Sequence, residues 1–179
     1  LQYEYVEAAR RLSIFGGGHV GAALAAMACG AGFLTTVFDN RTELSWEGRL
    51  PSAVTLVLGP YTDAGRRIEP GSYLVVMTHA HRWDEDAVKA LGAEALSRLK
   101  YVGVIGSRSK TRAMWRALAE AGIRPGPNFY MPIGLNLGGN TPADIAVSIL
   151  AELVAVAHGT AGMPHLRLAP GAADPSPEH

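Results

Sequence analysis

The stretch "SIFGGGHVGAALAAMACGAG", residues 13–32, sets three consecutive glycines between an apolar run and an alanine-rich segment. Glycine loses more backbone freedom on folding than any other residue, so such a cluster marks a backbone that must turn tightly or be closely approached. "RLSIF" (11–15) reads as a short buried strand. Residues 19–31, rich in alanine and free of proline, read as a helix stopped by Gly30 and Gly32. The join between them is Gly16-x-Gly18-x-x-Gly21, and the next strand, "FLTTVFD" (33–39), ends on Asp39. A strand, this glycine spacing, a helix and an acidic residue closing the second strand make the pattern of a dinucleotide phosphate turn. In it Gly16 turns the chain, Gly18 lets a diphosphate reach the backbone, and Gly21 lets helix and strand pack closely. Gly17, His19 and Val20 complete the turn, whose free N–H groups attract phosphate charge.

Asp39-Asn40-Arg41 leaves two ligand readings open. Asp39 would accept from a ribose 2′-OH, as in NAD-like ligands, whereas Arg41 would accommodate a 2′-phosphate. The plainer alternative makes Asp39 a loop cap and Arg41 a solvated charge.

Outward from this unit the chain alternates strands and helices. "AVTLVLG" (53–59), "SYLVVMT" (72–78), "YVGVIG" (101–106) and "NFYM" (128–131) read as further strands. Residues 83–99, with Val88, Leu91, Ala95, Leu96 and Leu99 in helical register, predict an amphipathic helix, and 108–121 another. "TPADIAVSILAELVAVAHG" (141–159) carries Thr as N-cap, Pro at the first helical position and Gly after its end. Strands apolar on both faces and alternating with helices predict an α/β fold: a doubly wound, mostly parallel sheet covered on both sides. The expected organisation is one domain over 1–159, with 1–10 as a lead-in and 160–179 as a loose tail. Ligands of such sheets bind beyond the carboxyl ends of the strands, where the strand order reverses.

The bulk numbers remove other classes. The 179 residues suit one domain with a proper core, and 16 basic against 16 acidic residues leave no field to draw nucleic acid or an anionic membrane. No apolar run is long enough to span a bilayer, and nothing resembles a cleavable signal, so the expected compartment is the cytoplasm. The single cysteine, Cys29, excludes an internal disulfide and a zinc cluster; within the first helix it reads as a buried thiol.

Three further stretches carry chemistry. In "MTHAHRWDED" (77–86), Thr78 and His79 follow a strand; His79 and His81 would share a side if the strand continued, with Asp84 or Asp86 as further metal ligands. The alternative gives His79 a place on the ligand rim and the acids a place at a helix start, and no metal site is assigned. In "GVIGSRSKTRAMW" (103–115), Gly106 and Ser107 with the helix amides form an anion nest, to which Arg108 and Lys110 add positive charge. The loop Gly134–Asn140 either shapes the rim or closes over a ligand, and Ile145, Ile149, Leu150 and Leu153 face the core.

Together, "GGGHVG", "FDNR", "VVMTHAHRWDE", "VGVIGSRSK" and "PIGLNLGGNTPADIAVSILAELVA" resemble the Rossmann-like C-terminal domain of the XdhC/CoxI family of xanthine dehydrogenase accessory factors, over residues 11–159. The resemblance implies a maturation factor that binds molybdenum cofactor, as molybdopterin or its dinucleotide, and assists its sulfuration or insertion. The implied partners are an apo molybdenum hydroxylase and a cysteine desulfurase, with a homodimer as a further expectation from fold habit. Carried over by position, Gly16, Gly18, Gly21 and Asp39 would form the pocket; His79, Gly106, Ser107, Arg108 and Lys110 would line the same rim. This chain departs from the family in having Asn40 where an acid is usual and Asn136 where an Asp is usual. The family's separate N-terminal domain, with a cysteine near its start, has no counterpart in these residues, and Cys29 does not match that cysteine. Two other functions share the fold: an NAD(P)-dependent oxidoreductase and a nucleotide-gated interaction module. No Tyr-x-x-x-Lys pair supports the first.

Overall fold

The computed structural model describes residues 9–160. Residues 1–8 of the lead-in expected over 1–10, and residues 161–179 of the tail expected over 160–179, fall outside them; Arg10 instead opens the first strand, and the Thr160 amide donates to the Ala155 carbonyl. Six parallel strands, β1 (Arg10–Phe15), β2 (Phe33–Asp39), β3 (Thr55–Leu58), β4 (Tyr73–Val76), β5 (Tyr101–Val104) and β6 (Phe129–Tyr130), form one sheet in the order β3-β2-β1-β4-β5-β6. The order reverses between β1 and β4, so the glycine turn after β1 opens at the reversal.

β4 and β5 bury both of their faces and β1 and β2 do so over most of their length, whereas the edge strands β3 and β6 are only partly covered. On one face Leu12, Ile14, Val37, Val75 and Tyr101 pack against α1 (His19–Gly30) and α5 (Pro142–Ala157). On the other, Phe15, Phe38, Leu74, Val76, Val102 and Val104 meet α2 (Tyr61–Ala64), α3 (His81–Ser97) and α4 (Arg108–Glu120). Phe15 is stacked on Tyr61 and meets Phe38 edge-on, which ties the central strand to α2. The α5 start is a complete capping box, in which Thr141 and Asp144 each accept from the other's backbone amide. Ile149 and Leu153 are fully buried, while Ile145 and Leu150 are partly buried against the same core. Cys29 is partly rather than fully buried, on the flank of α1.

Several expectations need correction. β3, β4 and β5 each stop short of their expected ends because the backbone turns away where it begins to build the rim. α3 begins two residues early, at His81, and is broken at Gly92, whose φ of 72° interrupts the helical run expected over 83–99. The 3-10 turn Gly65–Arg67 and α2 itself escape a periodicity reading, since neither spans enough residues to show a period. The β2–β3 connection, 40–54, contains no helix; it lays Trp46 back over the glycine turn instead. No helix among the described residues is long and apolar enough to cross a membrane.

Two core substitutions test this packing. Leu153→Ala, at a fully buried position, is expected to lower the unfolding free energy by about 2–5 kcal/mol in urea titration. Gly21→Ala should cost about 3 kcal/mol or more, because its methyl would overlap the carbonyl oxygen of Gly16. A near-neutral Gly21→Ala would contradict the close approach of α1 to β1.

Candidate functional site

The four glycines of the turn do different physical work. Gly16 has φ 107°, a left-handed conformation that disfavours side chains, and a Cβ there would run into the backbone of Met77 and Thr78. A Cβ on Gly17 would lie 2.6 Å from the Trp46 ring. Gly21 is closed by Gly16. Gly18 alone of the four faces open space, with nothing within 4 Å of an added Cβ. It is also the N-cap of α1 and supplies no side chain to cap it, and the first turn holds no acid. Among the described residues no protein group accepts from the amides of His19, Val20 or Gly21. Helix N-termini need such partners, and here they are left to solvent or to a ligand.

Asp39 lies directly behind this opening, fully buried. Its Oδ2 accepts from the Gly17 amide at 2.8 Å and from Arg41 Nη2 at 2.6 Å; its Oδ1 accepts from Arg41 Nε at 2.8 Å and from the Arg41 amide at 3.0 Å. Burial opposes the charge on Asp39, but the Arg41 and Gly17 hydrogen bonds outweigh it and hold the carboxyl below its ordinary pKa. The same pairing raises Arg41. Trp46 completes the cluster: its Nε1 donates to the Arg41 carbonyl at 3.2 Å, and its ring lies under the guanidinium at 5.6 Å. Trp46 sits in a stretch without periodicity, and no sequence signal singles it out.

In front of the turn is a cleft of about 290 Å³ lined by Gly18, His19, Val20, Gly21, Arg41, Thr78 and His79, with Met77, Ile105 and Pro142 as its apolar walls. The structure thus gathers seven of the residues singled out from the sequence. Gly16, Gly17 and Asp39 stand behind the wall as its support. Asn40 faces a neighbouring cleft of about 280 Å³ with Thr42, Pro60, Tyr61 and Trp83. Gly106, Ser107, Arg108 and Lys110 are not in the cleft lining. There Ser107 caps α4 itself, accepting from the Lys110 amide at 3.3 Å, so that helix start already has a partner of its own.

The His79–His81 pairing fails for a local reason. β4 ends at Val76, so the two histidines are not on a common strand face: His79 is exposed at the cleft, while His81 opens α3 with its ring nitrogens buried. Asp84 is buried and accepts from the Thr78 amide at 2.8 Å and from its hydroxyl at 2.7 Å. Burial raises its pKa, against the Thr78 bonds that lower it. Its work is to fix the rim loop after β4. Among the described residues no group of three or more His, Cys, Asp or Glu is placed to hold a metal ion. The Gly134–Asn140 loop is held by Glu152, which accepts from the Gly134 amide at 3.0 Å and from the Tyr101 hydroxyl, and by a backbone bond from Leu135 to Ser148. Glu152 is a structural residue that α5's apolar pattern conceals.

Comparison with known proteins places this geometry in a family. Residues 12–153 match the family model of the XdhC Rossmann domain. The chain is 30% identical over 151 residues to a Bacillus subtilis protein named as a probable xanthine dehydrogenase subunit, covering 83% of this chain and 43% of that one. It is 29% identical over 157 residues to the uncharacterized protein YqeB of Escherichia coli, covering 85% of this chain and 28% of YqeB. A crystal structure from Bacillus halodurans, described as a xanthine dehydrogenase, superposes with a TM-score of 0.73 at 29% identity, covering 84% of this chain and 45% of that one. The chain therefore spans less than half the length of the relatives it matches. Matched over most of its length, the chain belongs to the XdhC family through its Rossmann domain.

Proposed function

We propose that this chain binds molybdenum cofactor, or a related dinucleotide, and serves as an accessory factor in maturing a molybdenum hydroxylase of the xanthine dehydrogenase type. The observation that carries the reading is the open space at Gly18, set against amides of α1 that have no protein partner. A phosphate or diphosphate suits that place: it is anionic, it accepts several hydrogen bonds at once, and the α1 dipole favours it. The residues present fit such a group. His19, Val20 and Gly21 would hold it by their amides, Arg41 would add a guanidinium from one side, and Thr78 and His79 would border the ring system beyond. When bound, the cofactor would supply the molybdenum–pterin centre that the client enzyme uses.

The apolar walls, Met77, Ile105 and Pro142, suit one face of a flat heterocycle and keep water from it. Thr78 is immobilised by Asp84, so that edge of the cleft is preformed rather than induced. Binding and shielding are what these residues do well. The family relationship, through a relative named as a probable xanthine dehydrogenase subunit, supports the choice of client. Sulfuration and a cysteine desulfurase partner are part of the same proposal. So is a homodimer.

Anaerobic titration with molybdenum cofactor, with NAD(H) and with NADP(H) in parallel, tests the reading. Retention of molybdenum cofactor is expected. Tight binding of a nicotinamide dinucleotide coupled to hydride transfer, without cofactor retention, would favour an oxidoreductase and overturn the proposal. Binding of a plain nucleotide that alone alters partner association would favour an interaction module. Gly18→Ala should weaken binding by roughly tenfold or more, since its methyl enters the phosphate's space, while costing about 1 kcal/mol or less in folding stability at an N-cap. Unchanged affinity in that variant would remove the phosphate seat.

A further inference from the structure

The geometry points to Arg41 as the residue that decides which ligand this cleft takes: it closes Asp39 to a ribose diol and presents a guanidinium to a phosphomonoester in its place. The inference rests on the phosphate seat at Gly18 proposed above and adds to it a rule of selection.

An NAD-type ligand is read by a carboxylate whose oxygens are free to accept from two ribose hydroxyls. Asp39 occupies the position for that task but is 0% exposed. A carboxylate offers about four acceptor positions. Here they are filled by the Gly17 amide, the Arg41 amide, Arg41 Nε and Arg41 Nη2. A diol could reach Asp39 only by displacing the guanidinium, which would exchange an ion pair with a cationic donor for hydrogen bonds from neutral hydroxyls. Displacement would also loosen the Trp46 ring against which Arg41 rests. Arg41 itself lines the cleft and is 23% exposed in its side chain. Two of its five N–H groups are spent on Asp39, and the other three have no acceptor among the described residues. Those three suit the oxygens of a phosphomonoester, which Arg grips in two-pronged fashion. Asp39 is then a positioning residue. It aims the guanidinium and, through Gly17, holds the turn that carries the phosphate seat.

A phosphomonoester could come from a phosphorylated ribose or from the single phosphate of a ring-bearing cofactor. Calorimetric titration with NAD+, NADP+ and flavin mononucleotide separates the two, because NADP+ differs from NAD+ only by a ribose phosphate, whereas flavin mononucleotide carries its one phosphate on an open ribityl chain and has no phosphorylated ribose ring. The expected result is binding of NADP+, flavin mononucleotide or both at least roughly tenfold tighter than NAD+. Preference for NADP+ alone assigns the ribose phosphate; binding of flavin mononucleotide as tightly assigns the single-phosphate source. Arg41→Ala should abolish the preference. Because that variant strands a buried charge, the double variant Asp39→Asn/Arg41→Ala, which leaves none, and Arg41→Lys, which keeps the cation without the fork, are measured beside it. The double variant should lose the preference while remaining folded, and Arg41→Lys should retain only part of it. Affinities for NADP+ and flavin mononucleotide that both fail to exceed that for NAD+ in the unaltered chain, or a preference that survives in the folded double variant, would each overturn the inference. Gly18→Ala keeps the two proposals apart. If it weakens NAD+ and NADP+ alike while the unaltered chain does not discriminate, the seat stands and the Arg41 rule falls. If it changes neither while Arg41→Ala abolishes the preference, the rule stands and the seat falls.

Discussion

The buried carboxylate of Asp39 is the point on which the site depends. It joins the end of β2 to the glycine turn after β1 through Gly17, and to the following loop through Arg41. A charge with no solvent contact is tolerable only when its acceptor positions are filled, and here three of the four donors come from one residue two positions away. The turn, the guanidinium and the Trp46 ring are therefore fixed as one unit. Loosening any one of them alters the place where α1 presents its free amides.

The sheet makes that unit useful. Because the strand order reverses between β1 and β4, the loops that leave them diverge and a cleft opens between. α1 points its amino end into this space, while Met77 and Ile105, just after β4 and β5, and Pro142, at the start of α5, supply apolar walls. Gly16 and Gly21 let strand and helix come close enough for the cleft floor to be backbone. Gly18 leaves that floor bare. The second strand–glycine–helix junction, after β5, looks equivalent in sequence but has a serine that caps its own helix. The two helix starts thus differ in that α4 has a side-chain cap on its Lys110 amide and α1 has none.

Much of the architecture was legible because β1, β2 and α5 carry strong local signals that agree with the global fold. Apolar strands, a glycine turn in register with Asp39, and a Thr-Pro-x-Asp helix start all point the same way. The less legible parts have physical reasons. α2 is too short for periodicity, and Gly92 breaks a helix whose flanks are both helical. Asp39 has the right position for a ribose reader, but its occupation by Arg41 depends on side-chain geometry that spacing does not encode. Trp46 acts through a fold-back of an irregular loop, and Glu152 through a buried tie to Tyr101 and Gly134; both are long-range contacts without a local pattern. His79 and His81 were separable only by knowing where β4 ends.

The central claim, that the amides at the start of α1 form an anion seat in front of a locked Asp39, is tested most directly by following backbone amide resonances as adenosine diphosphate is added. The account predicts that the His19, Val20 and Gly21 amides shift together and saturably, while the Gly17 amide stays protected from exchange by its bond to Asp39. Shifts confined to the cleft around Tyr61 and Trp83, with the α1 amides unmoved, would contradict it.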